Sequence, residues 1–193
     1  DAILLGSAAE PYTRLALDSF EHIYVVGGGK ATAPMARAME EILGPRLTGG
    51  VIVVKYGFAE TLSTLDSLEA GHPCPDPRGV EGTGRILELL KRAGERDLVF
   101  SLISGGGSAL LPQPIPGISL TEKQAVTRML LECGAAIEEI NTLRKHISLS
   151  KGGQMARAAF PATTLNLMLS DVVGDKMDVI ASGPFVPDTS TYQ

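Results

Sequence analysis

Three stretches of this 193-residue chain hold residues whose types and spacing suit chemistry on an anion. They are Gly27-Gly28-Gly29-Lys30, Ser104-Gly105-Gly106-Gly107-Ser108, and Ser170-Asp171 running on to Asp175 and Asp178. Glycines leave backbone N–H groups open to close approach, and a helix start behind them adds partial positive charge, so phosphate is the natural ligand. One such loop serves equally well as a tight strand-to-helix turn, but two triplets at matching strand ends favour phosphate. Lys30, at the mouth of the first triplet, can neutralise the charge shared between a leaving and a transferred phosphoryl group. Asp171 ends an apolar run, where an acid is costly unless it is exposed or used. With Asp175 and Asp178 it can hold Mg²⁺, or it can accept the proton of a substrate hydroxyl.

Two further clusters carry charge. Asn141-Thr142-Leu143-Arg144-Lys145-His146 sets two cations and an imidazole beside an amide, and Arg144 suits a carboxylate or a phosphate through a bidentate fork. Capping of a helix end by Arg144 is the competing reading. Ser150-Lys151-Gly152-Gly153 reads as a second anion site at a helix start, with Lys151 as its cation. His72, in Gly71-His72-Pro73-Cys74-Pro75-Asp76, reads as structural, and none of His22, His72 and His146 has zinc-like spacing.

The better-known nucleotide and nucleophile patterns do not fit. A Walker A loop needs an earlier Gly where Tyr24 stands, and a Ser or Thr where Ala31 stands. The dinucleotide fingerprint accepts Gly27 and Gly29 but meets Thr32 at its third glycine, and the next strand ends in Lys55-Tyr56 with no acid for a ribose. A nucleophile elbow around Ser108 fails at Leu110.

The elements that must carry these residues alternate. Apolar runs predict strands over His22–Val26, Val51–Val54, Thr64–Ala70, Asp97–Ile103 and Thr163–Leu169. Helical spacing predicts helices over Ala8–Phe20, Ala31–Leu43, Gly82–Ala93, Glu122–Cys133, Ala135–Leu143 and Lys151–Ala159. Met35, Met39, Ile42 and Leu43 are expected to face inward, Thr121 to cap the fourth helix, and Gly71–Gly79 to form a Pro-rich turn. The fold class is therefore α/β: a three-layer, Rossmann-like parallel sheet with helices on both faces. All three reactive stretches fall at carboxyl ends of strands, where open α/β sheets bind ligands.

Composition narrows the function classes. The chain is 44% hydrophobic and 20% charged, with a net charge of −5 and only 5% aromatic residues. That balance makes no electrostatic case for nucleic acid or an anionic membrane, and it supplies few base-stacking rings. Cys74 and Cys133 are far apart, which fits a reduced cytosolic protein. No apolar run approaches the roughly 20 residues of a membrane helix, and no signal peptide is recognisable. The ends at Asp1 and Gln193 read as cuts, so a fragment of a longer chain is expected.

Taken in order, GGGKATAPMA, VIVVKYG, EAGHPCPD, LISGGGSALL, KQAVTRMLL, EINTLRKHIS, KGGQMARAAFPA and LSDVVGDKMDVIASGPFVPD resemble one family. It is the glycerate 2-kinases with a C-terminal MOFRL domain, often labelled hydroxypyruvate reductases. The resemblance implies cytoplasmic, ATP-dependent phosphorylation of the 2-hydroxyl of D-glycerate with Mg²⁺. It also implies a Rossmann-like N-terminal domain, here residues 1–193, facing a smaller C-terminal domain that this chain does not include. The family's loop lysine, taken as catalytic, falls on Lys30.

The expected site is thus Lys30 and Asp171 as catalytic residues, Asp171 also as the metal ligand, and Arg144 and Lys151 for substrate. Gly27, Gly28, Gly29, Ser104, Gly105, Gly106, Gly107 and Ser108 are expected to bind nucleotide phosphates. D-glycerate is the expected partner, with no nucleic acid and no membrane, and a homodimer is the candidate assembly. The rival readings are an NAD(P)H-dependent hydroxypyruvate reductase and a non-catalytic nucleotide- or anion-binding module.

Overall fold

β-branched and leucine runs make the centre of the sheet, because strands covered on both faces need apolar residues at every position. The computed structural model describes residues 2–5, 13–172 and 174–191. The chain opens with β1 (Ala2–Leu5) and β2 (Thr13–Ala16), an antiparallel pair, and continues with β3 (His22–Gly28), α1 (Thr32–Leu43), β4 (Gly49–Lys55) and β5 (Leu65–Ala70). It goes on through α2 (Pro77–Arg92), β6 (Asp97–Ser104), α3 (Gly107–Leu110), α4 (Leu120–Glu132), α5 (Ile137–His146), α6 (Gln154–Ala159) and β7 (Thr163–Leu169). Five strands form one sheet in the order β5-β4-β3-β6-β7, and every adjacent pair is parallel.

Successive side chains of a strand point to opposite faces, so each central strand feeds two cores. On one face Val26, Val53, Val99 and Ile103 pack with Ile86 and Leu90 of α2 and Met155 of α6. On the other, Val25, Ile52, Val54, Phe100 and Leu102 pack with Ala33, Ala36, Met39 and Leu43 of α1. The result is the expected three-layer, Rossmann-like α/β fold. Among the described residues no helix is long and apolar enough to cross a membrane.

Local expectations needed correction at several points. Of the helix expected over Ala8–Phe20, residues 8–12 lie outside the described residues. Thr13–Ala16 instead pairs with β1, and Leu17–Ser19 forms a single 3₁₀ turn pinned by Arg46, which donates to the Leu17 carbonyl and pairs with Asp18. Strand pairing overrides the helical spacing there. Ile42 is 75% exposed, on the solvent side of α1. α4 is capped by Ser119 rather than Thr121: the Ser119 hydroxyl accepts from Glu122 N at 3.1 Å, and the Glu122 carboxylate accepts from Ser119 N at 2.7 Å. The residue three positions after Thr121, Gln124, could serve in such a pair, but its side-chain amide donates to the Pro75 carbonyl at 2.6 Å instead.

α2 begins inside the expected turn because Asp76 and Pro77 make a good helix start. Asp76 Oδ1 accepts from Gly79 N at 2.9 Å, and the Tyr56 hydroxyl donates to Oδ2 at 2.8 Å. Burial pushes the Asp76 carboxyl up, but these hydrogen bonds outweigh it and hold the group below the ordinary Asp value. Asp76→Ala is expected to cost about 1 kcal/mol, read from the urea midpoint. Because the folded value is depressed, this contribution is present above about pH 4 and is lost as pH falls through the folded value.

Candidate functional site

β3 and β6 are sheet neighbours whose connections leave in opposite directions, towards β4 and β5 on one side and β7 on the other. That is the topological switch point, where α/β sheets leave a crevice beyond the strand ends. Gly28 is level with Ile103, so the two glycine loops emerge side by side. They are tied directly: Lys30 N donates to the Gly105 carbonyl at 2.9 Å, and Ala31 N donates to Ser104 Oγ at 3.0 Å. Ser104 is buried and also lies 3.3 Å from Thr32 Oγ1, so it joins the loops rather than facing a ligand.

The first triplet divides by position. Gly27 and Gly28 lie buried within β3 and in register with β4 and β6. A Cβ on Gly27 would sit 2.1 Å from the Leu102 carbonyl oxygen, and one on Gly28 would sit 2.7 Å from Leu111 Cγ. Their lack of side chains permits close packing; they are not at the mouth. Gly29, also buried, is the turn itself, with φ +152° and no room for a Cβ against Ser104.

The mouth is made by Lys30, Gly105, Gly106, His72 and Asp171. Gly106 adopts φ +88°, and a Cβ there would lie 2.9 Å from His72 Nε2 and 3.3 Å from Lys30 Cγ. A Cβ on Gly105 would lie 2.1 Å from Asp171 Oδ2. Residues from three separate segments, Lys30, His72 and Asp171, thus crowd the second loop. His72 was expected to be structural, yet its ring lies against the loop. Burial holds its pKa below the ordinary histidine value, with Lys30 and Lys55 adding to the effect and Asp171 opposing it. The sequence signal of His72 was weak because the neighbouring prolines and Cys74 read as a turn.

Of the acids expected near Mg²⁺, only Asp171 reaches the loop. Asp175 is exposed, and Asp178 pairs with Lys145 at 3.4 Å. Among the described residues no three His, Cys, Asp or Glu side chains gather as a complete metal cage. A lone carboxylate fits Mg²⁺ that arrives with a nucleotide, since that ion commonly takes one or two protein carboxylates plus phosphate oxygens.

Gly107 is buried under residues 181–183, and a Cβ on it would lie 2.8 Å from Ala181 Cβ. Ala181, Ser182 and Gly183 have φ of +52°, +62° and +61°. Left-handed backbone is unfavourable for Ala and Ser, and packing must hold it. Ser182 Oγ lies 3.1 Å from Ser108 Oγ and donates to Asn141 Oδ1 at 3.4 Å, which anchors this strained segment on the second loop.

Beyond Ser108 lies a cavity of about 350 Å³ between α3, α4, α5 and the Pro73–Pro75 segment. Both expected substrate cations, Arg144 and Lys151, line it, as does Ser108. Lys151 reaches it differently from the way its sequence suggested. The amides at the start of α6 are occupied: Gly152 N, Gly153 N and Met155 N donate to the carbonyls of Ser182, Gly183 and Pro184. That helix start is therefore no anion site, and Lys151 instead sends its buried ammonium to the Ser108 and Leu111 carbonyls at 2.8 and 3.1 Å. Lys145, next to Arg144, turns away to Asp178 and Asp188. Lys123 and Arg128 of α4 complete the lining. Neither was legible beforehand, because a lysine on an amphipathic helix reads as solvated. Burial, with the charge of Arg144 adding to it, lowers Lys123 to about 7. Burial also lowers Arg144, and it lowers Lys151 well below the ordinary lysine value.

The family described as "Domain of unknown function (DUF4147)" matches residues 4–193. D-glycerate 2-kinase of Thermotoga maritima is 49% identical over 176 residues, which are 91% of this chain and 42% of that protein. Glycerate 2-kinase of Pyrococcus horikoshii is 49% identical over 171 residues, 89% of this chain and 38% of that protein. The crystal structure of glycerate kinase from Thermotoga maritima superposes with a TM-score of 0.86 at 49% identity, covering 89% of this chain and 42% of that one. The chain thus spans less than half the length of these relatives.

Proposed function

The chain belongs to the DUF4147 family, and on that footing we propose that it supplies the Rossmann-like N-terminal domain of a kinase acting on D-glycerate. The reaction is transfer of the γ-phosphoryl group of ATP to the substrate's 2-hydroxyl, giving 2-phosphoglycerate and ADP. The observation that carries this reading is the convergence of Lys30, Asp171 and the open loop Gly105–Gly106 at one strand-end mouth. The names of the relatives supply the substrate.

In-line transfer asks the protein mainly for positioning and charge stabilisation. Lys30 places its ammonium where negative charge collects on the transferred group. The amides of Gly105–Ser108 offer donors to phosphate oxygens. Asp171 orients the 2-hydroxyl and takes its proton as the new O–P bond forms and the bond to the ADP oxygen breaks. Mg²⁺, when bound with ATP, would neutralise phosphate charge, and Asp171 is the residue that would hold it. Arg144 and Lys151 hold an anionic group of the substrate.

A reductase would need a dinucleotide site, and β4 ends in Lys55 with no acid at the place a ribose would require. Parallel assays of the full-length protein separate the two: ADP formation from ATP and D-glycerate, and nicotinamide absorbance with hydroxypyruvate. ADP formation alone is expected. Oxidation of NADH or NADPH without ADP formation would replace the kinase reading with the reductase.

A further inference from the structure

The cavity beyond Ser108 is lined by Lys123, Arg128, Arg144 and Lys151, and no carboxylate is among its lining residues. Lys123 and Lys151 are only 5% and 1% exposed. Their partners are backbone carbonyls: Pro112 for Lys123 at 3.0 Å, and Ser108 and Leu111 for Lys151. Carbonyl dipoles accept hydrogen bonds but leave the net charge in place. An ammonium carries three protons, so Lys123 keeps two donors uncommitted by these bonds, and Lys151 keeps one in its protonated form. The same molecule treats another buried lysine differently, since Lys145 has the carboxylates of both Asp178 and Asp188. Buried cations are costly unless paired, and here the pair is missing from the protein itself.

We propose that this cavity is a binding pocket for a small oxyanion, a carboxylate or a phosphate group, with Lys123 a ligand to it beside Arg144 and Lys151. The anion supplies the negative charge that the protein withholds. Its binding is coupled to proton uptake. With the pocket empty, burial and Arg144 hold Lys123 near 7, so it gives up its proton as pH rises past neutrality. A bound oxyanion favours the ammonium and raises that value again. The charged and titratable groups around Lys123 are Arg144 from α5, Lys151 from the turn before α6, Arg128 on its own helix and Cys74 in the facing segment. Affinity is therefore highest below about pH 7 and falls as pH rises above it.

Which oxyanion enters rests on the kinase reading: the carboxylate of D-glycerate or a phosphate of the nucleotide. Ser108 belongs both to this lining and to the second glycine loop, so the pocket opens beside the proposed reaction centre.

Sulfate is a suitable probe because its charge is constant across the range. Calorimetric titration of the full-length protein with sulfate is expected to show roughly tenfold weaker binding at about pH 8.5 than at about pH 6, with buffer-dependent proton uptake. Lys123→Met should weaken sulfate binding at least about tenfold and reduce the pH dependence, of which buried Lys151 keeps a share, while Lys123→Arg should retain binding and reduce the pH dependence likewise. Equal sulfate affinity in wild type and a folded Lys123→Met variant overturns the proposal. So does a flat pH profile in the wild type, which keeps the test decisive should the Met variant not fold. Titrations with D-glycerate and with ADP identify the source, since the ligand whose affinity drops in Lys123→Met is the one seated there; where the wild type binds both and neither affinity drops, the pocket is overturned. Turnover is read separately. Proton-linked sulfate binding without ADP formation would refute the kinase and leave the pocket standing.

Discussion

Lys30→Ala in the full-length protein is expected to lower kcat for ADP formation from ATP and D-glycerate by about a thousandfold, with the melting temperature nearly unchanged. The loss should fall on kcat more than on KM, because the ammonium counts most where charge develops during transfer. The fold has little stake in this side chain. Lys30 is half-buried, and among the described residues no acid pairs with it. The bond that ties the loops uses its backbone amide, donated to Gly105, and an alanine keeps that bond. His72 should respond as well, since removing a nearby positive charge relieves one cause of its depressed pKa. Its titration, followed by NMR, should move upward in the variant. Wild-type turnover in Lys30→Ala would remove the residue from the mechanism.

Gly105→Ala should lower kcat by about a hundredfold or more while leaving the sheet intact. Gly105 does not need the left-handed backbone that Gly106 adopts, so an alanine is conformationally acceptable there. What it lacks is space: the new methyl would sit 2.1 Å from Asp171 Oδ2 and 2.7 Å from its Cγ. Asp171 is exposed, at the end of β7, so its side chain can swing away at little cost to stability. The carboxylate would then leave the mouth. Asp171→Asn should reproduce most of the loss, and the double variant should be little worse than either single one, because both remove the same positioned group. Additive losses would show that Gly105 acts through its own amide or its room for ligand, and not through Asp171. Unchanged activity in both singles would remove Asp171 from the reaction.

Much of this architecture could be read from residue patterns because its signals are local. An unbroken run such as Val51–Val54, or one broken only by a serine such as Leu98–Ile103, has few stable homes other than a doubly covered strand. Glycine triplets at strand ends announced the two loops, and Lys30 stood out by adjacency. The misreadings share a cause as well. At Thr13–Ala16 a distant strand supplied hydrogen bonds that outcompeted helical periodicity, and at Ser119 a reciprocal cap with Glu122 displaced the nearer Thr121. Lys123 was not singled out and His72 was read as structural, because nothing in their neighbours distinguishes a solvated or turn residue from one turned towards a site.

The chain's own order of residues determined the five strands, the class of fold, the two glycine loops and the likeness to glycerate 2-kinases, since each is written in residue types and spacing along the chain. Tertiary structure decided the division of labour. The parallel pairing of β3 with β6 set residues 29–30 against 104–105 across more than seventy positions of sequence. It buried Gly27 and Gly28 as packing residues and left Gly105 and Gly106 open. Packing of α4 and α5 against the end of the second loop gathered Lys123, Arg144 and Lys151 round one cavity, while Lys145 was sent to its acids. The physical reason is the range of the forces involved. Hydrophobic periodicity is written into neighbours, whereas the charge a buried group must find depends on which distant elements come to rest beside it.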